Sequence, residues 1–208
     1  MFGNGIARVS RALLTVLLAA GVLAACSSSD DRLSFEDLSA NELDSLYSMR
    51  EEEKLAHDVY LALYAVWRDQ IFANIADSEQ THTDAVKALI DKYNLIDPAI
   101  ANPPGVFTDP KFQQLYEQLV AFGKQSRISA LTVGVQIEEL DIKDIAGWLA
   151  VVERDDIITV YTSLLCGSRN HLRSYYPELL ASGGSYVLKY ITQVEFDAIV
   201  GSPMENCG

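Results

Sequence analysis

Glu79-Gln80-Thr81-His82 sets a carboxylate and an imidazole one helical turn apart, the step by which a helix offers two ligands to one cation. Three more residues of the same chemistry, Glu53, Glu138 and His171, each stand near the middle of a separate apolar pattern. Residues alternately three and four apart line one helix face. That spacing gives Leu46-Met49-Glu53-Ala56-Tyr60-Leu63-Trp67 and Ile75-Glu79-His82-Val86-Leu89-Tyr93. It also gives Leu131-Val135-Glu138-Ile142-Ile145-Leu149 and Ile157-Tyr161-Leu164-Ser168-His171-Tyr175. An ionised carboxylate alone in a core costs several kcal/mol even after relaxation, and three on converging faces would repel one another. Protonation could relieve one or two of them. A divalent cation relieves all three and uses both imidazoles. Carboxylate plus imidazole without thiolate points to iron first, with manganese or zinc as alternatives.

These patterns define the elements that must position the site. Ser39-Ala40-Asn41-Glu42 reads as a capping box opening a helix over about 40–66, and Asp69 can cap a second over about 70–93. Pro98, Pro103, Pro104 and Gly105 make 94–109 a loop. Asp109-Pro110 starts a short helix that Gly123 ends. A third long helix is predicted over about 127–152. A fourth, over about 156–176, is opened by Asp155 or Asp156 and broken by Pro177. Thr192-Gln193-Val194-Glu195 is a second capping box, opening a last short helix near 193–200. No segment reads as a strand. Short connections make the first and last pairs of long helices antiparallel hairpins, with one long excursion between the second and third. The expected fold class is all-α: a ferritin-like four-helix bundle with one long crossover.

Composition agrees with a folded domain: 208 residues are 49% hydrophobic and 22% charged, which excludes a disordered chain. Three cysteines are too few for a disulfide-dense miniprotein. Sixteen Lys and Arg against 29 Asp and Glu give a net charge of −13, so a phosphate backbone is repelled and no nucleic-acid partner is expected.

The first residues read as an address. Arg8 and Arg11 precede an apolar run from Ala12 to Ala25, too short for the ~20 residues of a membrane span. Leu23-Ala24-Ala25-Cys26, followed by Ser27, resembles the bacterial lipoprotein box, in which the cysteine is acylated. The expected organisation is a signal peptide over 1–25, a Ser- and Asp-rich tether over 26–38 and a helical domain over 39–208. The implied location is the cell envelope, with the lipid anchor in the membrane. In a Gram-negative cell, Ser27 favours the periplasmic face of the outer membrane. Cys166 and Cys207 then remain in an oxidising compartment. Cys166, about 200° round its helix from Ser168, should face outward where the tail could reach it. Pairing with Cys207 and two free thiols are both open on the sequence.

Ile71-Phe72-x-x-Ile75-Ala76-x-x-Glu79-x-x-His82 and Glu53-x-x-Ala56-x-x-x-Tyr60 resemble the first two iron-binding helices of rubrerythrin-type proteins. With Ile137-Glu138-Glu139-Leu140-Asp141-Ile142 and Gly167-Ser168-Arg169-Asn170-His171-Leu172, residues 40–200 resemble the ferritin-like family catalogued as domain of unknown function 2202. The resemblance implies Glu53 as a terminal ligand, Glu79 as a bridge or cap, Glu138 as the third-helix carboxylate, and His82 and His171 as nitrogen ligands. The chain departs from a full di-iron pattern at Ser168-x-x-His171, where Glu-x-x-His is usual, so a second bridging carboxylate is missing. Water, Asp141 or His57 could fill that place, and a mononuclear or zinc site gains ground. Asp141, His57, Ser168, Tyr60 and Tyr175 are thus candidates for extra ligands or for partners of the ligands, with plain packing or surface roles as the other reading. Glu51, Glu52 and Glu139 fall off the apolar faces and are expected on a solvated surface, so that Glu139→Ala should change little. Three functions stay open: a metal centre reacting with dioxygen or peroxide, a metal-binding module without turnover, and a lipid-anchored structural protein with a hydrogen-bonded polar core.

Overall fold

A computed structural model describes Met1 and residues 38–207. The signal segment, Cys26 and nearly all of the tether lie outside the described residues. Among the described residues there are six helices and no strand: α1 (Ala40–Trp67), α2 (Gln70–Lys92), α3 (Pro110–Gly123), α4 (Arg127–Leu149), α5 (Asp155–Ala181) and α6 (Gln193–Val200). No helix among them is long and apolar enough to cross a membrane.

Local chemistry sets most of these boundaries. Both capping boxes form: the Ser39 hydroxyl accepts the Glu42 N–H while Glu42 reaches back to the Ser39 N–H, and Thr192 and Glu195 repeat the pattern. Asp69 caps α2 and Asp109 caps α3, with Pro110 in its first turn. Arg68 takes the left-handed conformation (φ 53°), closing the tight turn between α1 and α2. Two boundaries differ from expectation. Neither Asp155 nor Asp156 caps α5, whose N-cap is Arg154. The cap is tertiary, because Glu42 accepts the N–H groups of Glu153 and Arg154. Nor does Pro177 break α5, which continues to Ala181. An interior proline costs ~3 kcal/mol, and here the fully buried Tyr175 and Leu179 on either side hold the last turns to the core.

The four long helices pack as two pairs, α1 on α2 and α4 on α5, with α1 also touching α4 and α2 touching α5. Their apolar residues fall into two clusters. One gathers Leu46, Met49, Val86, Leu89, Ile145, Ile157 and Tyr161; the other gathers Ala56, Tyr60, Leu63, Phe72, Ile75, Leu131, Val135 and Tyr175. Along α1 and α5 the chain runs from the first cluster to the second, and along α2 and α4 from the second to the first. Neighbouring helices in each pair are therefore antiparallel, and every long helix crosses a layer between the clusters. That layer holds Glu53, Glu79, His82, Glu138 and His171.

The outer faces of α1 and α4 are not solvated as expected. Glu51, Glu52 and Glu139 are all buried. Loop backbone explains two of them. Glu51 accepts the N–H groups of Thr108 and Asp109, tying the entrance of α3 to α1. Glu139 accepts from the N–H groups of Lys189, Tyr190 and Ile191 and from the Tyr186 hydroxyl, folding 186–191 over α4. Arg50 forms a two-pronged bridge to Asp97, with both N–O distances 3.0 Å, and Asp58 accepts the Gly105 N–H, so the crossover is seated on the same helix. Cys166 faces outward to where the tail reaches it, as expected, and the Cys166–Cys207 disulfide closes the tail over it so that it is buried.

The tail is further held by Glu205, which binds the guanidinium groups of Arg169 and Arg173. Hydrogen bonds from Arg169 and then Arg173 hold the Glu205 carboxyl down at about 2. A folded-state value below the unfolded one gives a contribution present above the ordinary carboxylate range of ~4.3 and lost as pH falls towards 2. Hydrogen-exchange protection at residues 201–207, taken relative to the intrinsic rate at each pH, should therefore fall between about pH 4.5 and pH 2 with the disulfide intact. Glu205→Gln should exchange fast at every pH. Equal protection of the two proteins at pH 6 would contradict the latch. Contrary to the solvated-face reading, Glu139→Ala should lower stability by about 1–3 kcal/mol in urea denaturation, because it removes the acceptor for several half-buried donors.

Candidate metal centre

Glu53 and Glu138 project from the middle of α1 and α4, Glu79 and His82 from one face of α2, and His171 from α5. Apolar side chains one turn above and below each fix the helix registers, so the five residues meet in the layer between the two clusters. The three glutamates have no exposed surface, and the two histidines are 8% exposed. Glu79 stands at the centre. One of its oxygens lies 2.8 Å from His82 Nδ1 and the other 2.7 Å from His171 Nδ1. Glu53 Oε2 lies 3.2 Å from His82 Nδ1, and Glu138 Oε2 lies 3.4 Å from His171 Nδ1. Two donor triads result, Glu53–Glu79–His82 and Glu79–Glu138–His171, each with its ligand atoms within 4.8 Å of one another. They share Glu79.

Electrostatics of the layer follow from burial and this pairing. Burial raises Glu53 to about 7 against the pull of His82, and raises Glu138 to about 6 against that of His171. Burial also acts to raise Glu79, but the charges of His171 and His82 outweigh it and hold Glu79 below the ordinary carboxylate range. For His171 burial favours the neutral ring, yet Glu79 and Glu138 carry it up to about 10; His82 is raised in the same way, with Glu79 the largest counter to burial. Two imidazolium groups thus supply the positive charge that the carboxylates require.

The histidines are seated by residues that spacing alone did not single out. His171 Nε2 lies 2.9 Å from Ser78 Oγ, so its other nitrogen is fixed towards Glu79. The His82 ring packs on Gly167, where a β-carbon would come within 2.5 Å of Nε2. Only the fold reveals these two, since Ser78 and Gly167 carry no periodic signal of their own. Tyr60 donates a short hydrogen bond to Glu138 Oε1, turning the other oxygen towards His171. Tyr175 stacks at a tilt on Tyr60, ring centroids 5.2 Å apart, and its hydroxyl is buried.

The remaining candidates lie outside both triads. His57 turns to Asp58, 2.9 Å away, beside the surface crevice under the crossover. Ser168 is buried but donates to the Leu164 carbonyl at 3.1 Å. Asp141 is buried beside Glu52 rather than filling the place of the missing carboxylate. The arrangement can hold cations at two adjacent positions with nitrogen and oxygen donors only.

Comparison with known proteins places the chain without assigning it a reaction. It is 48% identical over 171 residues to "Uncharacterized protein MJ0754" of Methanocaldococcus jannaschii, covering 82% of this chain and 92% of that protein. The crystal structure titled as hypothetical protein MJ0754 superposes with a TM-score of 0.79 at 49% identity, covering 81% of this chain and 96% of that one. Residues 42–203 match the family model described as "Uncharacterized protein domain (DUF2202)", and the chain belongs to that family.

Proposed function

We propose that this protein is a lipid-anchored envelope protein whose ferritin-like four-helix bundle holds a carboxylate- and histidine-bound metal centre, iron first and manganese or zinc otherwise, acting on dioxygen or peroxide. One observation carries the reading: the two oxygens of a fully buried Glu79 reach two imidazoles, and Glu53 and Glu138 complete a triad on each side. The residues fit the group. Glu53 Oε1, both Glu79 oxygens, Glu138 Oε2 and His171 Nδ1 are buried without a well-formed hydrogen bond. A cation with bonds of ~2.0–2.2 Å at right to tetrahedral angles needs donors about 2.8–3.6 Å apart. The facing pairs here span 2.7–3.4 Å. Two long antiparallel hairpins joined by one crossover support the ferritin-like reading.

In this centre Glu53 and His82 would hold one cation, Glu138 and His171 the other, and Glu79 both. A redox-active cation would supply open coordination positions and electrons for a small oxidant. The chain does the rest. Tyr60 keeps Glu138 oriented and can hold a proton beside it, Ser78 fixes the His171 ring, and the two apolar clusters keep water from the layer. The larger surface cavities are lined by other residues, which favours a reactant the size of dioxygen or peroxide over a bulky substrate. Holding metal without turnover is the second reading. It is favoured by Ser168, which stands where a second bridging carboxylate would be and spends its hydroxyl on its own helix. Attachment to the membrane rests on the Leu23–Cys26 motif, and mass spectrometry of the membrane-extracted protein would show acylated Cys26.

Glu79→Ala and His82→Ala should each remove most bound metal, read as metal per chain after anaerobic loading with Fe(II); full stoichiometry in both would refute the centre. Air exposure of the loaded protein separates the two readings, since turnover oxidises the iron and simple holding leaves it ferrous. Gly167→Ala should displace the His82 ring and weaken metal affinity about 10- to 100-fold with the helical content retained. Unchanged affinity would show that the ring seat is unimportant.

A further inference from the structure

We propose a separate divalent-cation site held by Glu52 of α1 and Asp141 of α4, between the metal centre and the protein surface. The proposal rests on the metal-centre reading above. Both residues are 1% exposed, their carboxyl groups are close enough to interact, and none of their four oxygens has a hydrogen-bond donor. The other buried carboxylates outside the centre are all answered. Glu42, Glu51 and Glu139 accept backbone N–H groups, Asp58 has Lys54 and the Gly105 N–H, and Asp97 has Arg50 and the Ala99 N–H. Two buried carboxyl groups without donors are satisfied either by a shared proton or by the positive charge of a cation between them, and the Mn(II) stoichiometry separates the two.

Position says what that charge is for. Glu138, Asp141 and Asp144 follow one another at three-residue steps along one side of α4. Asp141 feels the negative field of Glu53, Glu52, Glu138 and Glu79, while Glu52 feels those of Asp144 and Glu53 against the positive charge of Lys111. Asp144, with Lys111, Ser48 and Trp148, lines a surface cavity of about 400 Å³. The acidic row thus leads from that cavity, past Glu52 and Asp141, to Glu53 and Glu138. An oxygen-only donor pair suits a hard cation such as Mn(II) or Fe(II), completed by water or a neighbouring carboxylate.

Mn(II) titration of the domain tests this. Glu52→Gln/Asp141→Asn is isosteric, and circular dichroism would establish that it folds. At saturation the double variant should bind one Mn(II) fewer per chain than the unaltered protein, while Glu79→Ala should keep one. Equal stoichiometry in the double variant and the unaltered protein would overturn this site and leave the centre standing. Loss of all Mn(II) from the folded double variant would also overturn it as a separate site. No Mn(II) bound by the unaltered protein would overturn both.

Discussion

Charge cannot sit in an apolar interior without an answer of opposite sign, and the layer at the middle of this protein holds three glutamates with no exposed surface. Their arrangement is governed by that requirement. Glu79 is the hub: it lies between two imidazoles that are driven to take up protons, while burial drives Glu53 and Glu138 upward. Such a layer is costly to fold by itself, and two apolar clusters of aliphatic and aromatic side chains flank it. The same packing that excludes water makes each uncompensated donor expensive, which is why cations held in the two triads would stabilise the fold as well as serve chemistry.

A second set of buried charges serves structure. Along α1, Arg50, Glu51, Lys54 and Asp58 face the crossover and the entrance to α3, where they meet Asp97, backbone N–H groups and the Pro103 carbonyl. On α4, Glu139 gathers 186–191, and on α5 the arginines and Cys166 gather the tail. These helices are therefore committed on more than one face. The inward faces build the charged layer, and parts of the outward faces replace water with the polar backbone of connecting segments.

Much of this was legible because helical period and burial coincide. The residues assigned to the interior of the apolar patterns, from Leu46 to Tyr175, are buried in the registers that the spacing predicts, except Trp67 and Leu149 at the ends of α1 and α4, which are half-buried. The capping boxes at Ser39 and Thr192 and the cap at Asp69 mark true starts. The convergence of Glu53, Glu79, His82, Glu138 and His171 follows directly from those registers. Glu52 was misread because it is buried beside Asp141 of the neighbouring helix, and Glu51 and Glu139 because a periodicity argument sees one covered face per helix. It has no view of a loop that comes back over the opposite face bearing unpaired N–H groups. Pro177 misled for a related reason: the penalty of a proline is local, while the burial of Tyr175 and Leu179 that outweighs it is tertiary. Ser78 and Gly167 act through contacts made across helices, which a single helical pattern does not reveal.

The most direct measurement is an anomalous-scattering crystal structure of the domain after Mn(II) or Fe(II) loading. The account predicts density on both sides of Glu79, one peak within about 2.0–2.3 Å of Glu53 and His82 and one equally near Glu138 and His171. A loaded crystal with no peak in the layer, and with both Nδ1 atoms still 2.7–2.8 Å from Glu79, would contradict it.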